Sequence, residues 1–230
     1  MLDHLSSLDE ILNGKILLIN KPKNWTSFDI VKKIKSIIKQ KHNISKIKIG
    51  HAGTLDPLAT GLLVICTGKF TKKIAEIQEQ KKTYIGELIL GKTTPSYDLE
   101  TEFDAYFPTQ HINKEMLIAA SKSFIGKIDQ TPPMYSALKV KGERLYEKAR
   151  RGEKIKISSR KVEISSFILT DISLPKIQFK IVCSKGTYIR SIAYDFGKKV
   201  DSGAYLSSLT RTTIGEHMLS NSIEINDILN

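Results

Sequence analysis

A chain of 230 residues carrying 36 Lys and Arg against 24 Asp and Glu, a net charge of +12, is long enough to bury a substantial core without disulfides and favours a polyanionic partner. Asp3, His4, Asp9 and Glu10 interrupt any apolar N-terminal region, and no run of about 18 apolar residues occurs, so neither a secretory signal nor a membrane-spanning helix is expected. Cys66 and Cys183 follow apolar runs without metal-ligand spacing and read as buried thiols in a reducing cytoplasm.

Residues 1–13 show no strong periodicity and read as a leader. Ile16–Ile19 is a short apolar run, the pattern of a buried strand. Thr26 or Ser27 caps a following helix, with Asp29 in its first turn. Ile30, Val31, Ile34, Ile37 and Ile38 form its apolar face, and Lys32, Lys33, Lys35 and Lys39 lie mostly off it. Leu62–Cys66 is a second apolar strand, and Thr83–Leu90 a third, with Tyr84, Leu88 and Leu90 sharing one parity. Residues 91–112, with Pro95 and Pro108, are loop-like. Asn113 caps a helix through Phe124, built on Leu117, Ala120 and Phe124.

Residues 130–157 form a long insertion that opens on two prolines and is thick with charge, a length that marks function or disorder. Val162–Leu169 and Ile177–Cys183 alternate as strands. Thr187 caps a helix whose face is Ile189, Ile192, Ala193, Phe196 and Val200. Leu206–Ile214 reads as a strand and Ile223–Leu229 as a short final helix. Strands and helices are interspersed without regular βαβ alternation, so the fold class is α+β.

The basic charge is clustered. Residues 32–48 hold seven lysines and no acid, and residues 139–161 hold ten Lys or Arg against three Glu. Clustered cations track a phosphate backbone and make affinity fall with salt; two solvated faces would look the same.

Chemistry concentrates in Gly50-His51-Ala52-Gly53-Thr54-Leu55-Asp56-Pro57-Leu58-Ala59-Thr60-Gly61, followed by an apolar run. Its glycines let the backbone lie close to another surface, and Pro57 biases Asp56 away from helix. A carboxylate held there beside His51 suits nucleophilic or acid–base work, or simply an Asx turn; spacing does not choose among them. No second His or Cys lies near His51 at metal-ligand spacing, so no metal site is expected.

Five blocks in order resemble the tRNA pseudouridine synthase B (TruB-type) family. They are Asn20-Lys21-Pro22 with Thr26-Ser27-Phe28-Asp29; residues 50–68; Lys82-Thr83-Tyr84 leading to Leu90-Gly91; Pro132-Pro133-Met134-Tyr135-Ser136-Ala137-Leu138-Lys139; and Cys183-Ser184-Lys185-Gly186-Thr187-Tyr188-Ile189-Arg190. Ordered blocks spread over residues 14–215 are far more specific than one short motif.

The resemblance implies a mixed, largely antiparallel central sheet flanked by helices, in one catalytic domain over residues 1–230 with an RNA-clasping insertion at about 130–157. It implies an isomerase that converts uridine 55 in the tRNA T loop to pseudouridine after base flipping, acting as a monomer that needs no cofactor and no protein partner. Asp56 is then the covalent catalyst, Arg190 its fixed cation and Tyr84 the stacking residue that also takes the C5 proton. His51, Tyr188 and Leu209 contact the substrate. Lys21-Pro22 shapes the cleft rim, and Lys139, Lys141, Arg144, Lys148, Arg150, Arg151, Lys154 and Lys156 supply phosphate contacts.

Two departures stand out. The chain runs only twenty residues past Thr210, too few for the family's C-terminal PUA-type domain. Glu100 replaces a usual Gly near Asp98, which is expected to play a structural or secondary role. A noncatalytic tRNA-binding or tRNA-folding module, and a synthase acting on another RNA, remain the alternative readings.

Overall fold

The computed structural model describes Leu5, residues 7–153 and residues 155–229. In chain order the elements are α1 (Leu8–Asn13), β1 (Ile16–Lys21), α2 (Ser27–Lys41), β2 (Ile49–His51), β3 (Thr60–Thr67), α3 (Ile74–Glu79), β4 (Lys82–Leu90), β5 (Lys92–Thr93), β6 (Ala105–Tyr106), α4 (Lys114–Lys122) and β7 (Gly126–Gln130). There follow β8 (Lys139–Val140), β9 (Glu143–Arg144), α5 (Leu145–Arg150), β10 (Arg160–Ser173), β11 (Lys176–Cys183), α6 (Ile189–Lys199), β12 (Ala204–Ile214), β13 (His217–Met218), β14 (Ile223–Glu224) and α7 (Ile225–Leu229). Contacts divide the chain into two compact units, one of residues up to Tyr84 together with Leu209 onward, the other Ile85–Ser208.

The first unit is organised on β3. Its neighbours are β1, antiparallel with Ile19 opposite Leu63, and β12, parallel with Thr210 opposite Thr60. β14 adds in parallel to β1, and β2 pairs antiparallel with the far end of β3. Strand β3 is buried on both faces, which accounts for its unbroken apolar run. Leu63 and Ile65 pack with Leu17, Ile19 and the Ile30, Ile34 and Ile38 stripe of α2; Leu62, Val64 and Cys66 pack with Ala52, Ile77 and Ile214. Thr26 starts α2 with a full capping box: its side chain accepts from Asp29 N, and Asp29 accepts from Thr26 N at 2.9 Å.

The second unit orders its strands β4-β11-β10-β7, with antiparallel β10–β11 and β10–β7 pairs. An aromatic cluster of Phe124, Phe167, Phe179 and Phe196 joins the turn after α4 to α6 and the β10–β11 pair, with ring centroids 5.7–6.4 Å apart. The fold is therefore α+β with a mixed, largely antiparallel sheet, as expected.

Several local expectations change. A helix, α1, occupies part of the leader: Ser7 caps it and Ile11 is buried, two signals too short for periodicity to reveal. The elements β2, α3 and β7 were not expected, and β14 precedes the final helix. Thr187 does not cap α6. Its hydroxyl donates to Ser184 O at 2.9 Å, and Tyr188 occupies the N-cap position without a side-chain bond. Both cysteines are buried.

Candidate active site

The loop bearing Asp56 is pinned along its backbone from within the first unit. Ser27, at the start of α2, accepts from Leu55 N at 2.8 Å and donates to Leu55 O at 3.1 Å. Asn24 N donates to Pro57 O at 2.8 Å, and Ala59 N to Asp56 O at 3.1 Å. Lys21, from the Lys-Pro pair, is wholly buried, and its ammonium donates to Pro22 O, Trp25 O and Pro57 O at 2.9, 2.7 and 3.3 Å. Burial pushes that ammonium down to about 8, with the nearby Asp56 charge opposing the fall. On unfolding, Lys21 regains its ordinary proton affinity. Between about pH 8 and 10.5 the unfolded chain therefore holds a proton the folded one has shed, and this group's contribution to stability rises with pH.

Gly61 shows why that loop's end tolerates no side chain. Its φ is +100°, and a Cβ there would lie 2.4 Å from Arg211 O and 2.8 Å from Arg211 N, both immovable backbone atoms. Gly61→Ala is expected to cost more than about 2 kcal/mol. For a chain of this size that is a fall of at least roughly 4–8 °C in Tm, readable by thermal melting.

His51 ends β2 and is half-buried. Burial, and then the Arg211 charge, hold its imidazole below the usual 6.5, with a Gly53 backbone bond opposing them in part. It is neutral at pH 7. An NMR titration of its ring should give a midpoint below 6.5, and stability should fall as pH drops below 6.5, where the unfolded chain takes up a proton the folded ring refuses.

Tyr84 and Leu209 are buried, on β4 and β12. Leu209 directly precedes Thr210, whose hydroxyl meets that of Thr60 at 2.8 Å; Thr83 Oγ1 meets Thr213 Oγ1 at 2.8 Å just before Tyr84. His51, Asp56, Tyr84 and Leu209 thus all belong to the first unit.

Arg190 and Tyr188 belong to the second unit. Arg190 is the second residue of α6 and only 3% exposed. Its Nη1 donates to Ser96 O at 3.2 Å, and its Nε lies 3.5 Å from Asp98 Oδ2. Asp98, itself 5% exposed, accepts from Glu100 N at 2.9 Å, so the carboxylate faces the guanidinium from a fixed loop. Tyr97 between Ser96 and Asp98 takes φ +65°, and its ring stacks on Tyr194 of α6 at 3.9 Å. Burial and that neighbour push the Tyr97 hydroxyl up to about 12, so it stays protonated.

The backbone of Tyr188 is held at two points by buried Gln130, which accepts from Tyr188 N at 2.8 Å and donates to Tyr188 O at 3.0 Å. Arg160 lies 4.6 Å over the Tyr188 ring and donates to Gly186 O. Ser191 Oγ adds a bond to Thr131 O at 2.8 Å. The end of β7 therefore fixes the start of α6 and with it Arg190. The sequence reading named neither Gln130 nor the Arg190–Asp98 pair; partners far apart in sequence leave no local periodicity.

In the insertion, Lys148 and Arg151 pair with Glu143 and Glu153, and Arg150 pairs with Glu100 at 2.8 Å. Arg151 and then Lys148 hold the Glu143 carboxyl down at about 2. The insertion thus neutralises several of its own charges, and Glu100, the departure from the usual Gly, is the acid that meets Arg150. Lys139, Lys141, Arg144 and Lys156 are exposed. Lys154 lies outside the described residues. Among the described residues there is no cluster of three or more side chains suited to a metal ion, and no helix is long and apolar enough to cross a membrane.

Residues 35–189 match the profile of the TruB family pseudouridylate synthase (N terminal domain). The chain is 58% identical over 218 residues to tRNA pseudouridine synthase B of Flavobacterium johnsoniae, covering 94% of this chain and 95% of that one. It is 50% identical to tRNA pseudouridine synthase B of Parabacteroides distasonis, covering 96% and 95%. Among solved structures, a chain of a Cbf5-Nop10-Gar1 complex superimposes with a TM-score of 0.70 at 25% identity, covering 95% of this chain and 54% of that one. A chain of the archaeal box H/ACA sRNP Nop10-Cbf5 complex does so at 0.68 and 22% identity, covering 96% and 54%, a likeness of fold. This chain spans about half the length of both structural relatives.

Proposed function

Because the chain belongs to the TruB family of pseudouridylate synthases, we propose that it converts uridine 55 in the T loop of tRNA to pseudouridine, with the Asp56 carboxylate as covalent catalyst. The observation that carries the proposal is the Asp56 loop, whose backbone is fixed by Ser27, Asn24, Lys21 and Arg211 before any substrate arrives. Near-complete coverage by relatives named tRNA pseudouridine synthase B supports tRNA as substrate.

The reaction breaks the C1′–N1 bond, turns the base and joins C1′ to C5. The C5 proton is lost and N1 gains one, so the change is redox-neutral and calls for no nicotinamide or flavin. Asp56 adds covalently, at C1′ of the sugar or at C6 of the ring, and leaves again as a carboxylate. Arg190 supplies a permanent positive charge to the reaction. Tyr84 stacks on the extruded base and takes the C5 proton; Tyr188 and Leu209 each contact the substrate, and His51 holds nucleotides displaced by flipping. The exposed cations of the insertion grip the T-arm backbone, positioning the RNA without reading its bases. The enzyme acts in the cytoplasm as a single copy and needs no protein partner.

Tritium release from a tRNA transcript labelled at uridine C5 tests the reading. Stoichiometric release from the wild-type transcript, lost when the T loop is altered, supports it. No release, or equal release from both transcripts, contradicts it.

A further inference from the structure

Arg211 lies on β12 two residues beyond Leu209 and on the same strand face, at a buried position where an apolar side chain is usual. The position holds a guanidinium instead, 1% exposed and among the largest fully buried side chains. Its donors meet three carbonyls: Nε to Leu62 O at 2.8 Å, Nη2 to Gly53 O at 3.0 Å and Nη1 to Thr54 O at 3.4 Å. Gly53 and Thr54 lead into the loop that carries Asp56, and Leu62 leads out of it. A single planar fork therefore ties both ends of that loop together. The Arg211 backbone packs against Gly61 so closely that no Cβ fits between them.

No carboxylate among the described residues pairs with this guanidinium. A buried cation without an acid is costly unless dipoles or a nearby negative charge offset it. The three carbonyls provide the dipoles, and the loop they belong to carries Asp56. The Arg211 charge reaches the surroundings of the loop, since it lowers the proton affinity of both Lys21 on β1 and His51 on β2.

We propose that Arg211 is a positioning residue for Asp56, holding the two ends of its loop in register so that the carboxylate meets the nucleoside at bonding distance. The inference rests on the assignment of Asp56 as the catalytic carboxylate. Displacing a reacting group by about 1 Å costs on the order of 10²-fold in rate. Lysine keeps the charge but has one nitrogen in place of the fork's three, so it cannot hold the Leu62, Gly53 and Thr54 carbonyls in their observed positions.

The test compares full-length wild-type, Arg211→Lys, Arg211→Met and Asp56→Asn chains on a tRNA transcript, each assayed well below its own melting temperature. The expected result is a kcat lowered about 100-fold in Arg211→Met and about 10-fold in Arg211→Lys, with KM within about threefold of wild type. The His51 ring should titrate at higher pH in Arg211→Met and not in Arg211→Lys. If Arg211→Met does not fold, Arg211→Lys decides alone. A folded Arg211→Lys with wild-type kcat overturns the inference, as does a loss that lies in KM with kcat retained. An inactive Asp56→Asn beside a wild-type Arg211→Lys sinks only the positioning role. An active Asp56→Asn removes the catalytic assignment itself, and this inference with it.

Discussion

Asp56→Asn should bind tRNA within a few-fold of the wild-type affinity and form no detectable pseudouridine, a loss of at least about 10⁴-fold in single-turnover rate. Asparagine is nearly isosteric, and the loop is held by main-chain bonds at Leu55, Asp56 O and Pro57 that do not involve the altered carboxyl oxygen. The substitution therefore removes the nucleophile and leaves its platform in place. An amide oxygen carries no charge to donate in forming a covalent bond, so the chemical step has no substitute. Gel-shift or filter-binding titration measures the affinity, and quench-flow with excess enzyme measures the rate. Affinity lost together with rate would point to a collapsed loop; a full rate would remove Asp56 from the mechanism.

Arg190→Lys should lower kcat by about 10²–10³-fold, the scale of removing one preorganised charged donor, with KM changed far less. In the second unit the guanidinium serves Ser96 O through Nη1 and faces Asp98 through Nε at the same time. A lysine ammonium is a point charge that cannot meet both acceptors in their observed directions. Asp98 is then left buried with an imperfect partner, which should lower stability by about 1–3 kcal/mol. Steady-state kinetics separates kcat from KM, and denaturant titration reads the stability. A lysine variant with wild-type kcat would show that charge alone suffices and that the fork geometry is dispensable.

How much of this was legible in the sequence depended on distance along the chain. The Thr26 cap, the isoleucine stripe of α2 and the strands at β1, β3, β4, β10, β11 and β12 are written in nearest neighbours and periodicity, and the structure has them. The fold class followed from their order. Elements of a few residues, such as β2 and α3, offer too few positions for a period to register. Thr187 looked like a cap because its type and position fit, but its hydroxyl turns back to Ser184 O, and Gln130, 58 residues earlier, holds the helix start instead.

The candidate site divides in the same way. Asp56, His51 and Arg190 stand in motifs and were visible. The groups that hold them were not. Lys21 sat in a recognisable Lys-Pro pair, yet its burial depends on Pro57 arriving from 36 residues away. Asp98 meets Arg190 across a gap more than twice as long. Arg211 did leave one readable sign, a charged residue two positions beyond Leu209 on the same face of the strand. Charge clustering overstated the free cations of the insertion, because Glu143, Glu153 and Glu100 take up Lys148, Arg151 and Arg150.

Position-resolved mapping of pseudouridine in one tRNA transcript, incubated separately with the purified wild-type chain and with Asp56→Asn, bears most directly on the whole account. The account predicts conversion at position 55 alone with the wild type and an unmodified transcript with the variant. Conversion at another position with 55 untouched, or the same product from both proteins, would contradict it.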